Sequence, residues 1–243
     1  MAKQRAEASD RIESGNLLAF LVRSPRRTVS LQVNPDLSLV IKAPVETPEP
    51  FLRDFLERRR PWVERHLERM ARIKEAAPVW ANGGRAPFLG DELVLKVEAG
   101  ARSRARFGVG DLFGPVVVVA ARDPSDAEEV RATVERLFAR EAAARFPAML
   151  DACLERAARR FPRPELRVRT MRSRWGSCDA KAGVVTLNAR LLRFRVEVIE
   201  CVIMHELAHL KYRRHGPRFY GLLEELCPEY KALQAELAEV YLE

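Results

Sequence analysis

The chain has 243 residues, 47% of them hydrophobic, and a formal net charge of +8 at neutral pH. This length allows a substantial buried core, in one elaborated domain or in two small ones. No stretch approaches the roughly 18 uninterrupted apolar residues of a membrane span, and residues 1–10 lack the apolar segment of a secretory signal, so we expect a cytoplasmic protein without membrane association.

Residues 1–122 are predicted to form a β-rich module that contains one long helix. The apolar run 17–22 comes first, and residues 28–33 and 38–43 then alternate in strand fashion around the turn signal Asn34-Pro35-Asp36, which predicts a hairpin. A helix with one apolar side is predicted over residues 48–77. Further strands are predicted over 92–97, 104–109 and 115–120, and Asp123-Pro124 marks the end of the module.

Residues 123–243 are predicted to form a second domain, which begins with helical patterning up to residue 160. Strand patterning follows over 166–171 and again over 183–188, after a turn at 179–182, and indicates a hairpin. An edge strand of this kind can pair with an extended substrate, so Arg174 and Trp175 in the connection are candidate substrate contacts. The alternatives are a polar strand face for Arg174 and a core aromatic for Trp175.

The positive charge is concentrated in one segment. Residues 163–218 contain thirteen Lys and Arg against five Asp and Glu, whereas the rest of the chain has 29 of each sign. Such a surplus could attract an anionic substrate such as a nucleotide, a nucleic acid or an acidic protein segment, with Arg213 and Arg214 as candidate contacts. The alternative is an arginine-heavy composition without a converging site, since Arg outnumbers Lys 35 to 7.

His205-Glu206-Leu207-Ala208-His209 is the most informative motif. Positions i and i+4 lie one above the other on a helix, so His205 and His209 can present two imidazole nitrogens to one metal ion. Glu206 then lies beside the open side of that ion, where a carboxylate can act as general base on an activated water. The surrounding run 196–210 is strongly apolar, and burying these polar groups there without a metal would cost several kcal/mol.

A catalytic zinc site needs a third protein ligand. His215 follows the motif directly before the Gly216-Pro217 break, and Pro217 is well placed as the first residue of a new helix. His215 in the intervening turn is the first candidate. The competing candidates are three glutamates on or beyond that helix, namely Glu224, Glu225 and Glu229.

Several segments resemble the YgjP-like metallopeptidase family, relatives of SprT-type zinc proteins. The resemblance lies in MRSRWGSC, GVVTLNARL and VIECVIMHELAHLKYRRHGPRFYGLLEELCPEYK, and extends to TVSLQVNPDLSLVIKAP and FLRDFLERRRPWVERHL. It implies an α+β fold with a zincin-like core, in which the HExxH helix packs on a small mixed sheet behind an N-terminal β-rich module. It also implies one Zn²⁺ per chain, bound by His205, His209 and His215, with Glu206 as the catalytic residue.

Three functions fit these features. The first is a zinc-dependent metallopeptidase with Glu206 as general base, acting on a peptide or protein. The second is a metal-dependent nucleotide phosphoanhydride hydrolase, a nucleoside triphosphate pyrophosphatase, in which the surrounding arginines offset phosphate charge; the chain has no glycine-rich phosphate loop to support it. The third is a nucleic-acid-associated protein with structural zinc, which would leave Glu206 without a role.

Overall fold

The structure, a computed structural model, describes residues 10–34, 36–75, 78–110 and 114–238. The fold over these ranges is mixed α+β, with five α-helices and three sheets. The contacts divide the chain into two compact units, Met1–Ala77 and Pro78–Glu243. None of the helices in the described ranges is long and apolar enough to cross a membrane.

The first unit contains a four-stranded sheet and one long helix. Strands β1 (Asp10–Ser14) and β2 (Leu17–Ser24) pair antiparallel, as do β3 (Ser30–Val33) and β4 (Leu39–Pro44), and β2 pairs with β4 in parallel. The strand order is therefore β1-β2-β4-β3. Helix α1 (Glu49–Glu75) lays its apolar stripe on the sheet. The fully buried side chains of this core include Ile12, Ala19, Ile41, Leu52, Leu56 and Val63.

The second unit begins with the same arrangement. Strands β5 (Arg85–Phe88) and β6 (Asp91–Ala99) are antiparallel, β7 (Arg104–Gly110) and β8 (Gly114–Ala121) are antiparallel, and β6 is parallel to β8. Their order is β5-β6-β8-β7. Helix α2 (Ala127–Arg156) follows and packs on β7 and β8.

A three-stranded mixed sheet and three helices complete the second unit. Strands β9 (Glu165–Arg169), β10 (Gly176–Asp179) and β11 (Val184–Asn188) lie in the order β10-β11-β9, with β10 antiparallel and β9 parallel to β11. A short 3-10 helix (Ala189–Arg193) leads to α3 (Val196–Lys211), which packs against β10 and β11. Helices α4 (Pro217–Leu226) and α5 (Tyr230–Ala238) follow and pack on α3.

Most predicted elements are confirmed, including the hairpin of β3 and β4 and the long helix α1. Pro35 of the predicted turn, and Ala76 and Ala77 at the predicted helix end, lie outside the described residues. The second hairpin needs a correction, because it joins β10 to β11 and not β9 to β11. Its turn is fixed by Asp179, whose carboxylate accepts hydrogen bonds from the backbone N–H of Lys181 and Ala182, both at 3.0 Å.

The division between Ala77 and Pro78 lies earlier than the boundary that the sequence places after residue 122. The physical reason is that the sheet β5–β8 shares one apolar core with α2 and with the helices that follow it. Whether residues 1–122 fold independently of residues 123–243 stays a prediction.

Candidate metal centre

Helix α3 presents two histidines from an otherwise apolar element. Ile199, Ile203 and Leu207 are completely buried in the core of the second unit, and this packing fixes the rotation of the helix about its axis. His205 and His209 lie one turn apart on its other side, with ring centroids 4.9 Å from each other. Both predicted histidines therefore face the same space, as the i, i+4 spacing requires.

The end of α3 orients His209. The helix stops after Lys211, and the backbone carbonyl of Tyr212 lies 3.0 Å from His209 Nδ1. A carbonyl can only accept, so Nδ1 carries the proton and Nε2 keeps its lone pair. Burial lowers the pKa of His209, which favours the neutral ring that a metal ligand requires.

The loop between α3 and α4 brings in His215. Pro217 is the first residue of α4, as the sequence predicts, and the chain turns back before it. His215 Nε2 lies 3.1 Å from His205 Nε2, and the three histidines offer ligand nitrogens that all lie within 4.8 Å of one another. Among the described residues they are the one group of this kind, and it does not include Glu224, Glu225 or Glu229. Glu225 instead pairs with Arg160 at 2.7 Å.

Two further side chains support the histidines and were not singled out from the sequence as site residues. Phe219, fully buried on α4, packs its ring 5.0, 4.5 and 4.8 Å from those of His205, His209 and His215. Gln234 on α5 places its side-chain amide 3.3 Å from His205 Nδ1. Such an amide can accept a proton from Nδ1 through its oxygen, which leaves Nε2 free. Phe219 is predictable only as an apolar residue of α4, and Gln234 gives no sequence signal.

The donor set fits a divalent metal ion. Two imidazole nitrogens 3.1 Å apart repel each other when both carry lone pairs, unless a proton or a cation lies between them. Burial lowers the pKa of His205 to about 4, helped by the neighbouring His209 and His215, so a proton is disfavoured at neutral pH. A shared cation is the arrangement that satisfies these nitrogens.

Glu206 lies beside the histidines in an unusual environment for a carboxylate. Only 5% of the residue is exposed, and burial raises the pKa of its side chain to about 8, against a smaller opposing effect of Arg174. Its Oε2 is buried and accepts no hydrogen bond from the residues that the structure describes. A buried carboxylate oxygen without a partner is costly, and it marks a place where a water or substrate group belongs.

A cleft of about 960 Å³ opens in front of these residues. One wall comes from the hairpin β10–β11 and the other from α3 and the loop after it. Its charged lining consists of Arg167, Arg174, Arg213, Asp179 and Glu206, together with the three histidines.

The predicted substrate contacts separate into two groups. Arg174 and Arg213 line the cleft, whereas Trp175 and Arg214 are not part of its lining. Trp175 packs edge-to-face on Phe194, with ring centroids 5.0 Å apart, and contacts the apolar core. This is the core-aromatic alternative that the sequence left open.

Comparison with known proteins identifies the family. The model of the YgjP-like metallopeptidase domain matches residues 27–240. Two solved structures of metallopeptidase zymogens are similar to part of the chain. Abylysin of Pyrococcus abyssi is 22% identical with a TM-score of 0.36 over 40% of this chain and 98% of that one. Jannalysin of Methanocaldococcus jannaschii is 20% identical with a TM-score of 0.34 over 37% and 85%.

No curated protein matches the chain in sequence. The two structural likenesses are too distant to support an argument, so the assignment depends on the family model, which extends over both units and includes the whole segment from His205 to His215. The chain therefore belongs to the YgjP-like metallopeptidase family and is a metal-dependent hydrolase.

Proposed function

We propose that the protein is a zinc-dependent metallopeptidase with a zincin-like core. His205, His209 and His215 hold one zinc ion, and Glu206 is the general base. The observation that carries the proposal is the convergence of three imidazoles beside a buried carboxylate with an unpartnered oxygen.

The choice of zinc follows from the donor set. Zinc binds imidazole nitrogen at about 2.0–2.1 Å in tetrahedral sites, so two such ligands lie about 3.3 Å apart. The 3.1 Å between His205 Nε2 and His215 Nε2 is close to that value. Three protein ligands leave one position for the reacting group, as in catalytic zinc sites. Magnesium and calcium prefer oxygen ligands, which this group of residues does not provide.

Each residue then has a definite task. When bound, the zinc ion supplies Lewis-acid activation of water and of the scissile carbonyl. Glu206 takes a proton from the attacking water and later gives it to the leaving amine. Its raised pKa, about 8, suits this exchange near neutral pH. The carbonyl of Tyr212 and the amide of Gln234 keep His209 and His205 in the orientation in which Nε2 is available.

An extended peptide is the substrate that best fits the cleft. Strand β10 is at the end of its sheet and lines the cleft beside the histidines. The outer edge of such a strand offers backbone N–H and C=O groups to which an extended chain can add as a further strand. Arg174 and Arg213 on either side of the motif would then contact substrate side chains.

A nucleotide phosphoanhydride is the second candidate substrate, and the arginines of the cleft favour it. Arg174 and Arg213 have no carboxylate partner among the described residues, so they are available to an anionic group. Arg167 is already paired with Glu165 at 2.6 Å. In that reaction Glu206 would take the proton of a water that attacks phosphorus, and the arginines would offset the phosphate charge.

The test is Glu206→Gln, assayed with zinc on a panel of peptides and denatured proteins and on the common nucleoside triphosphates. We expect a loss of roughly 10²–10⁴-fold in kcat with unchanged zinc content, because the general base is removed and no metal ligand is changed. Glu224→Gln, an exposed glutamate outside the histidine group, is the matched control.

Each outcome decides between the candidates. Peptide cleavage that depends on Glu206 supports the peptidase. Turnover of nucleotides alone, with the same dependence, supports the second candidate. A Glu206→Gln protein as active as its parent contradicts the role of the general base in both.

A further inference from the structure

Gly176 is the first residue of β10, where it pairs with Leu187 of β11. Its φ is not positive, so the backbone does not require a glycine there. Glycine in a strand is unfavourable, because it loses more conformational freedom than other residues and offers no side chain to pack. A glycine at such a position often marks the close approach of another group.

That group is the side chain of Glu206. A Cβ added to Gly176 would lie 2.5 Å from Oε1, 2.8 Å from Cγ and 2.9 Å from Cδ of Glu206. All three separations are shorter than van der Waals contact, so the carboxylate and the methylene next to it lie directly against the Cα of Gly176. No other glycine among the described residues has Glu206 as a neighbour at this distance.

Little else in the described residues holds the end of this side chain. Oε2 accepts no hydrogen bond from them, and the nearby cation, Arg174, is itself exposed. The backbone of α3 is fixed by the buried side chains around Glu206, but the direction of the carboxylate depends on the surface that it contacts. That surface is the bare backbone of β10, which packs against α3.

We infer that Gly176 is a positioning residue for Glu206, because the missing Cβ creates the space in which the general base lies. The inference rests on the proposed role of Glu206 and holds for either candidate substrate. Gly176 contributes no reacting atom. A β-carbon at this position would turn the carboxylate away from the water that it activates, and a misplacement of about 1 Å can cost ~10²-fold in rate.

The first experiment compares Gly176→Ala with Gly221→Ala in the zinc-loaded protein. Gly221 on α4 has no atom within 4 Å of an added Cβ, so it is a matched control for the same chemical change. For Gly176→Ala we expect kcat to fall by ~10–10²-fold, with KM and zinc content close to those of the parent. An unchanged kcat in Gly176→Ala would overturn the inference.

The second experiment tests whether the effect passes through Glu206. In a Glu206→Gln background, where the general base is already lost, Gly176→Ala should cost no further activity. A further loss as large as that in the parent would mean that Gly176 acts on something else. If Glu206→Gln alone has no effect, the proposed function fails, and the third experiment still decides the role of Gly176.

The third experiment does not depend on activity. Crystal structures of the parent and of Gly176→Ala should show the Glu206 carboxylate displaced by about 1 Å or more, and an unmoved carboxylate would contradict the inference. If Gly176→Ala does not fold, the variant is combined with Glu206→Ala, which removes the three atoms in conflict. Recovery of folding in the double variant supports the contact, and failure to recover overturns it.

Discussion

Residues 10–75 and residues 85–156, here called the first and second modules, share strand order and strand directions. Each ends in a long helix, of 27 residues in α1 and 30 in α2. The helices differ in what surrounds them. Helix α1 buries four side chains among those described, whereas α2 buries ten and also contacts β9, the 3-10 helix and α3.

The difference shows how one arrangement serves two purposes. In the first module the outer face of α1 is occupied by exposed ion pairs such as Arg53–Glu49 and Arg58–Asp54, which contribute little stability. In the second module the corresponding helix is buried on more than one side and forms part of the core against which the metal helix α3 packs. The second module is therefore a support for the metal centre, and the first is a separate core.

Leu56→Ala and Leu150→Ala test this comparison with the largest expected effect. Each removes a completely buried leucine, Leu56 from the core of the first unit and Leu150 from the cluster that contains Ile199 and Ile203 of α3. Each should lower the free energy of unfolding by roughly 2–5 kcal/mol. Only Leu150→Ala should also weaken zinc binding, measured by competition with a chelator.

Leu56→Met and Leu150→Met are the controls, because this exchange nearly conserves volume and usually costs less than about 1.5 kcal/mol. Equal loss of zinc affinity in the two alanine variants would break the proposed separation of the two cores.

Asp126→Ala tests the start of α2 and has an intermediate expected effect. The Asp126 side chain accepts hydrogen bonds from the backbone N–H groups of Glu128 and Glu129, at 2.9 and 3.3 Å. Removing such a cap typically costs about 0.5–2 kcal/mol, which denaturant unfolding can measure. Asp126→Asn keeps the acceptor and should restore most of this stability. A loss of the same size in Asn would show that charge, not capping, is responsible.

Glu57→Gln and Glu129→Gln test a feature common to both modules and have the smallest expected effect. Glu57 accepts hydrogen bonds from Arg60 and Ser14, and these lower its pKa to about 2. Glu129 has its pKa lowered to about 2 by Ser103 and by the backbone N–H groups of Arg122 and Asp123. In both modules a helix carboxylate is therefore tied to a serine at the edge of the sheet region.

The sign of the pH dependence follows from these pKa values. The folded-state value lies below the ordinary value of 4.5, so the stabilisation is complete above about pH 4.5 and is lost as the pH falls towards 2. Each Gln variant should have a lower Tm than the parent at pH 6, and the difference should shrink at pH 2.5. A difference that is the same at both pH values would contradict the assignment.

The sequence was sufficient for the elements whose signal is local. The helix that contains His205 and His209 follows from apolar periodicity, and Pro217 at the start of α4 follows from its fixed φ. The hairpin of β3 and β4 follows from alternation around a turn. The positions of these residues relative to one another in the chain contain the information.

The remaining features depend on pairs of residues far apart in the chain. The parallel pairing of β9 with β11 and the contact of Gln234 with His205 give no local pattern. The same holds for Gly176, which in the sequence is one glycine of RWGSC and in the structure is the neighbour of Glu206. Trp175, adjacent to it, had two interpretations, and only its packing on Phe194 distinguishes them.

The hydrogen bond from His209 to Tyr212 has one more consequence. The acceptor is a main-chain oxygen, so replacing the aromatic side chain at position 212 leaves the acceptor in place. The imidazole direction is thus inherited from the path by which the chain leaves α3, and mutagenesis of residue 212 alone should spare it. Only an insertion, a deletion or a proline that reroutes this exit would free the ring.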